Sequence, residues 1–489
     1  MFAKRLVLGS FLLLLVVAGV RAQEGFPPFT TDYPPEEFAV RRSAVYDAIG
    51  KGAIAVVPGA PTPVGYVRFR QSNDFYYLCG VEVPNAYLLL DGTGRRAVLF
   101  LPHRNANRER GEGKMWSSED AEEIQKLAGV ENVLGVDLLA ENLGRFAQRS
   151  GGHLYTPLSP GEGFAVSRDL ALRRIAELAS DPFDGGSSRE GRFAALVRER
   201  FPGIDLRDLT PTLDKLRLIK SAKEIAMLRR STRLSGLALI EGMKSTRPGQ
   251  YERELDAMAK FIYYRNGAQG EAYYSLIASG RNAWYPHYNA GKRKMEDGDF
   301  LLMDFAPDYG YAMSDVTRMW PVNGKFAPWQ RELYQFYLDC YEAILKAIRP
   351  GATPSECMLA ASKKMDAILA SSKFSKDIYR KAAQDFVESY RKQAEKPEAA
   401  LGHWVGMATH DDGPHEGPLK PGMVFTIEPA LRVPEEKIYV RLEDMIVVTD
   451  KGIDVLSDFV PRDIPRIEKL MTERGLLKTY PRDDGPDAR

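Results

Sequence analysis

Cysteine is scarce in this chain of 489 residues: Cys79, Cys340 and Cys357 are widely spaced and form no Cys-x-x-Cys or Cys/His tract. That excludes a disulfide scaffold and a zinc knuckle, and three buried thiols are expected instead. Charge of one sign is lacking too. The 67 Lys and Arg balance 66 Asp and Glu, so a net charge of +1 leaves no footprint for nucleic acid or an acidic membrane surface. Short-period repeats and low-complexity tracts are missing, which excludes solenoid and fibrous architectures. The one long apolar run, Leu6 to Val20, follows Lys4-Arg5 and ends in Val20-Arg21-Ala22. This is the pattern of a signal peptide over residues 1–22, cut after Ala22, and it predicts an exported protein, periplasmic or extracellular. The run falls short of the ~20 residues that span a bilayer, and no later segment reaches that length, so no membrane partner is expected after cleavage.

What is present is ordinary globular composition, 44% hydrophobic and 27% charged, in a length suited to two to four domains. Between residues 33 and 210 strands and helices alternate; Tyr87 to Leu90, the turn Asp91-Gly92-Thr93-Gly94, and Ala97 to Leu101 read as a hairpin. Ser180 to Arg189 is loop chemistry, and Asp208-Leu209-Thr210-Pro211 marks a boundary. A second domain spans 211–477. There Ser221 and Glu224 have the spacing of a capping box, and apolar residues then recur at helical spacing until Pro248-Gly249. A further helix from about Glu252 to Asn266, strands, helices around Tyr334 to Ile348, and more strands follow, with residues 478–489 as a loose tail. The fold class is α/β (α+β).

The most informative stretch runs from Phe300 to Arg318. Asp304 and Asp315 lie at equal distances from a turn centred between Tyr309 and Gly310, so a regular hairpin would set them opposite each other, β-carbons ~5 Å apart. Two carboxylates facing each other within apolar strands repel, and each is desolvated, so something cationic must lie between them: an arginine, a shared proton or a metal. A second stretch repeats the device. Glu428 and Glu443 are equidistant from a turn at Pro434 to Lys437, although Pro429 interrupts a regular ladder. Between the two hairpins, Gly402-His403-Trp404-Val405-Gly406 offers an imidazole framed by glycines that permit close backbone approach. Four carboxylates and one imidazole would nearly neutralise two divalent cations, and an oxygen-rich set with a single nitrogen favours Mn²⁺, Fe²⁺ or Co²⁺ over thiolate-bound zinc. Such a set suits a two-metal hydrolytic centre, with ions ~3.5–4 Å apart.

Other residues carry two readings at this level. His287, in Trp284-Tyr285-Pro286-His287-Tyr288, is either a packed member of an aromatic cluster or a site residue. His410 is either a loop residue hydrogen-bonded to Asp411 or part of the chemistry, and His415 reads as surface. Arg441 alternates with Glu443 and so shares its face, where it either orients an acid or makes an ordinary cross-strand pair. Cys340 and Cys357 fall in helical stretches and read as core.

At these residues the sequence resembles the pita-bread metallopeptidases, within them the aminopeptidase P and prolidase group. Phe69-Arg70-Gln71-Ser72-Asn73-Asp74-Phe75-Tyr76-Tyr77-Leu78-Cys79-Gly80 is similar to the signature of the aminopeptidase P amino-terminal domain. Arg217 to Ile225, Gly422 to Pro429, and Arg441-Leu442-Glu443-Asp444 resemble segments of the catalytic domain. The resemblance implies an amino-terminal α/β domain followed by a pita-bread domain. It implies that Asp304 binds one metal, that Asp315 and Glu443 bridge both, and that His403 and Glu428 hold the other. His287 and His410 would hydrogen-bond the substrate and shuttle protons, and Arg441 would order the acidic cluster.

The expected activity is release of an N-terminal residue from peptides with proline second, by two divalent ions, Mn²⁺ first, with Co²⁺, Fe²⁺ or Zn²⁺ as alternatives. A dipeptidase of the prolidase type and an exported noncatalytic peptide- or metal-binding module are the other readings; homo-oligomerisation is left open. Three positions depart from the family pattern. Ala399 stands where relatives carry a histidine four residues before His403, Ala408-Thr409 replaces Asp-Val before His410, and Ala430-Leu431-Arg432 replaces Gly-Leu-Tyr. A relaxed preference for proline is expected from the loss at Ala399.

Overall fold

A computed structural model describes residues 33–148, 152–162, 167–183 and 185–480. The signal peptide expected over 1–22 and residues 481–489 of the expected tail lie outside them. Among the described residues no helix is long and apolar enough to cross a membrane.

The amino-terminal part is built on six strands in the order Asn132–Gly135, Arg96–Leu101, Tyr87–Asp91, Ala53–Pro58, His153–Thr156 and Asp205–Asp208. The expected hairpin forms with Leu90 opposite Ala97, closed by Asp91, whose carboxylate accepts the Thr93 N–H at 2.9 Å. Its neighbour Ala53–Pro58 is buried on both faces. Ile54 and Val56 pack with Leu143, Phe146, Phe193 and Val197, while Ala53, Ala55 and Val57 face the main core, so helices cover the sheet on both sides.

Helix Thr210–Leu218 carries the chain across, opened by Pro211 and by the Thr210 N–H bonded to Asp208. The capping box closes as expected: Ser221 and Glu224 exchange bonds at 2.9 and 3.1 Å, and the helix it starts runs Ala222–Ser245. With Glu252–Arg265, Pro328–Ala347, Pro354–Ser371 and Asp377–Ala394, it surrounds two three-stranded sheets. One contains Leu276–Ser279, Phe300–Asp304 and Thr317–Pro321; the other contains Val424–Ile427, Asp444–Thr449 and Gly452–Val455. The sheets meet where Thr317 and Glu443 exchange both backbone hydrogen bonds, at 3.3 and 3.1 Å. Arg318 clamps that junction, bonding the Glu443 carbonyl at 2.8 Å and the Asp444 carboxylate at 2.6 Å, with both ion-pair side chains 0% exposed. Asp444 is thereby committed to structure. This is an α/β domain followed by a pita-bread domain.

Part of the expected tail is anchored: Leu477 N–H reaches Ser245 Oγ at 3.1 Å, and Lys478 caps carbonyls of Met471 and Glu473. All three cysteines are free and buried.

Candidate metal centre

The first hairpin differs from its expected register. Asp304 pairs with Thr317, not Asp315, because the turn is centred between Gly310 and Tyr311, with Tyr309 and Ala312 bridged at 3.1–3.2 Å. Beyond Asp304 the chain peels away, so that Pro307–Asp308 pairs with Gly270–Glu271. The displacement is by two residues, which preserves the face. Asp304 and Asp315 therefore still converge, joined by the Tyr273 hydroxyl at 2.5 and 2.6 Å.

The second hairpin keeps the expected register. Ala430 to Val433 pair with Arg441 to Ile438, and beyond an interruption at Glu428-Pro429 the same register resumes as Ile427 opposite Asp444 and Val424 opposite Val447. Glu428 and Glu443 fall at the interruption, where proline removes a ladder donor and the freed side chains turn into the cleft. His403 reaches the same place because Gly402 lets its backbone lie against Thr426; a β-carbon there would stand 2.0 Å from the Thr426 carbonyl oxygen. The His403 Nδ1 sits 3.1 Å from the Trp404 carbonyl, which leaves Nε2 facing Asp315, Glu428 and Glu443 at 3.6, 3.4 and 3.7 Å.

Three overlapping groups have ligand atoms within 4.8 Å of one another: Asp304, Asp315 and Glu443; His403, Glu428 and Glu443; and Asp315, His403 and His410. The Glu443 Oε1 atom is buried without a hydrogen-bond partner among the described residues. An orphaned carboxylate oxygen shared by two groups is what a cation would satisfy. Arg441 places a guanidinium against two of the four carboxylates: it ion-pairs with Asp304 and bonds Glu428 at 3.1 Å, and it also bonds Thr317 Oγ1 at 3.1 Å. Thus Arg441 orders the acids, and it does so through Asp304 and Glu428 rather than through Glu443.

The electrostatics are those of an undercompensated acidic cluster. Burial and then the charge of Asp315 push Asp304 up to about 7, and burial with Asp315 and Glu428 raises Glu443 well above the usual range. Asp315 goes the other way: burial would raise it, but the hydrogen bond and charge of His403, the Tyr273 hydroxyl and His410 together outweigh burial and hold it at about 2. Burial would lower His403, but Asp315 and Glu443 hold it well above its ordinary value. A proton on His403 and a divalent cation therefore compete for the same oxygens.

A cavity of about 400 Å³ opens over the cluster, lined also by Tyr273, Tyr274, His287, Thr409 and His410. From the amino-terminal domain, Leu170 and Arg173 of helix Arg168–Ser180 complete its wall. His287 is exposed there, not packed into an aromatic cluster. The His410 ring lies 4.0 Å from that of His403, and Asp411 bonds Arg217 and Lys220 instead of His410. His415 is not simply surface: it is half-buried, stacked on Trp404 at 4.9 Å. Ala399 is 5% exposed and is not among the residues lining the cavity. Tyr273 and Thr317 escaped the sequence reading, since a tyrosine in Glu271-Ala272-Tyr273-Tyr274 and a threonine on a strand carry no signal apart from the acids they touch.

Residues 226–450 match the model of metallopeptidase family M24, and 38–155 match the aminopeptidase P N-terminal domain. The chain is 31% identical over 458 residues to Xaa-Pro aminopeptidase of Escherichia coli, covering 89% of this chain and 97% of that one. The chain belongs to metallopeptidase family M24. Its fold matches E. coli aminopeptidase P with the inhibitor Pro-Leu at a TM-score of 0.71 and 28% identity, over 90% of this chain and 98% of that one. The zinc-substituted E. coli enzyme in complex with product matches at 0.71 and 27%, over the same shares. This M24 protein is a metalloaminopeptidase, a hydrolase of peptide substrates with a dinuclear metal site.

Proposed function

We propose that this enzyme releases the N-terminal residue from peptides whose second residue is proline, using Mn²⁺ as its physiological metal. The observation that carries the reading is the convergence of Asp304, Asp315, His403, Glu428 and Glu443 in one cavity, in a chain that spans nearly the whole of a Xaa-Pro aminopeptidase. Asp315, His403 and Glu443 each belong to two of the three ligand groups, but only the two carboxylates have a second oxygen to offer, so Asp315 and Glu443 would serve both ions; Asp304 would hold one ion, His403 and Glu428 the other. When bound, the ions activate water and polarise the scissile carbonyl.

The protein's own residues do the rest. Arg441 and Tyr273 fix the carboxylates, so that no reorganisation is needed during the reaction. Partial burial and the neighbouring His403 lower the basicity of His410, which favours the neutral ring that can accept a proton from the attacking water and pass it on to the leaving nitrogen of the scissile bond. His287, across the cavity, hydrogen-bonds the substrate backbone. Export to the periplasm or beyond belongs to the same proposal, supported by the charged, apolar and small-residue pattern of residues 1–22.

The test compares kcat/KM for Xaa-Pro-Yaa, Xaa-Ala-Yaa and Xaa-Pro with Mn²⁺ added. Preference for Xaa-Pro-Yaa supports the proposal; release from Xaa-Pro alone would make the enzyme a prolidase, and unchanged peptide throughout would reduce it to a binding module.

A further inference from the structure

His410 sits in a loop that residues up to position 220 hold from three directions. Its backbone bridges to Ser167, at the start of helix Arg168–Ser180. Its neighbour Asp411 accepts from Arg217 Nη2 at 2.5 Å and from Lys220 Nζ at 3.3 Å, all three side chains 2% exposed or less. The following Asp412 pairs with Arg168 at 3.3 Å, while Arg168 also grips Asp214 with two bonds at 2.7 and 2.8 Å.

Arg217 is the centre of this arrangement. One nitrogen bonds Asp74 at 2.8 Å and Glu162 at 3.0 Å in the amino-terminal domain, and the other bonds Asp411 in the catalytic domain. Asp74 belongs to the conspicuous Phe69 to Gly80 segment, whose presence the catalytic residues do not explain. A planar guanidinium holding carboxylates on two sides fixes direction as well as distance, which a lysine does not. Gly406 completes the fit, since a β-carbon there would stand 2.1 Å from Asp411 Oδ2.

We infer that Arg217 is a positioning residue for His410: it acts through Asp411 to aim the imidazole, and the amino-terminal domain thereby shares in catalysis rather than only walling the cleft. The inference rests on the role proposed above for His410. Misplacing a proton-transfer group by about 1 Å costs up to about 10²-fold, so the effect is large enough to measure.

The experiment is a double-mutant cycle on the Mn²⁺-loaded full-length enzyme, with Arg217→Gln and Asp411→Asn each made alone and with His410→Ala. Bound metal and thermal melting are followed beside kcat and KM. Each single variant should lower kcat by about 10- to 100-fold with KM and metal content held, and should cost less than about 2-fold once His410 is already alanine. Arg217→Lys should recover only part of the loss. Equal losses with and without His410 would overturn the inference and make the cluster a structural clamp. So would failure of both Arg217→Gln and Asp411→Asn to fold. If His410→Ala alone turns over normally, the role of His410 fails instead, and the inference with it; the two failures are distinguishable by that one variant.

Discussion

Arg441 and Asp304 form an ion pair with side chains 5% and 4% exposed, next to three further carboxylates. Removing one partner of a buried pair leaves the other uncompensated, at a cost of ~3–5 kcal/mol. Arg441→Met should therefore destabilise the metal-free protein, while added cations replace the missing charge. The rise in Tm when Mn²⁺ is added to chelated protein should be larger in the variant than in wild type. A smaller rise would show that the guanidinium does not compensate this cluster.

His410→Ala should slow turnover by about 10²-fold or more while two metals stay bound, the range for losing a positioned proton-transfer group. Metal analysis beside kcat decides it. Loss of metal together with activity would make His410 a ligand, as its place in a group with Asp315 and His403 allows.

Gly406→Ala places a methyl group on the Asp411 carboxylate, 2.1 Å from Oδ2 and 3.0 Å from the Lys220 side chain, where neither has room to yield. A Tm lowered by several degrees and a reduced kcat at unchanged metal content are expected; overpacking of this kind costs ~1–3 kcal/mol. A variant with wild-type Tm would show that the loop relaxes freely.

The stability of the domain seam should depend on pH through Asp412. Burial, against the pull of Arg168, raises its carboxyl to about 7 from an unfolded value of 3.8. A carboxyl raised on folding contributes stability that is full below about pH 4 and is lost as pH climbs through 7. Asp412→Asn should accordingly raise Tm relative to wild type at pH 8 and leave it close to wild type at pH 4. The reverse order would mean that Asp412 is ionised and stabilising at neutral pH.

The two hairpins show what was legible in the sequence. Around Glu428 and Glu443 the local signals agreed: Pro434 and the charged turn residues fixed the register, and proline marked the interruption. Around Asp304 they did not, because the turn places both Gly310 and Tyr311 at positive φ, +59° and +65°. Tyrosine rarely adopts that conformation, so a turn centred before it was the reasonable expectation. What holds it is tertiary. The Tyr311 ring stacks on Tyr76 at 3.6 Å, lies under Arg70 at 4.4 Å, and its hydroxyl bonds Gln71 N–H and Glu82 at 2.8 and 2.7 Å. Strain of this kind persists only where the surroundings impose it. Here they come from more than 200 positions away in sequence. The metal ligands were readable because carboxylates inside apolar strands are costly and need a reason; Tyr273, Thr317 and Arg217 were not, because their partners appear only in three dimensions.

Two divalent ions held by Asp304, Asp315, His403, Glu428 and Glu443 are proposed to drive hydrolysis of Xaa-Pro-Yaa peptides. The most direct test strips the protein with chelator, adds back Mn²⁺, and counts bound metal and released N-terminal residue for wild type and Asp315→Asn. Wild type should bind two ions per chain and regain activity, whereas Asp315→Asn, folded by the same melting criterion, should lose the pair and all measurable hydrolysis. Near-normal hydrolysis with two ions bound in Asp315→Asn would contradict the assignment.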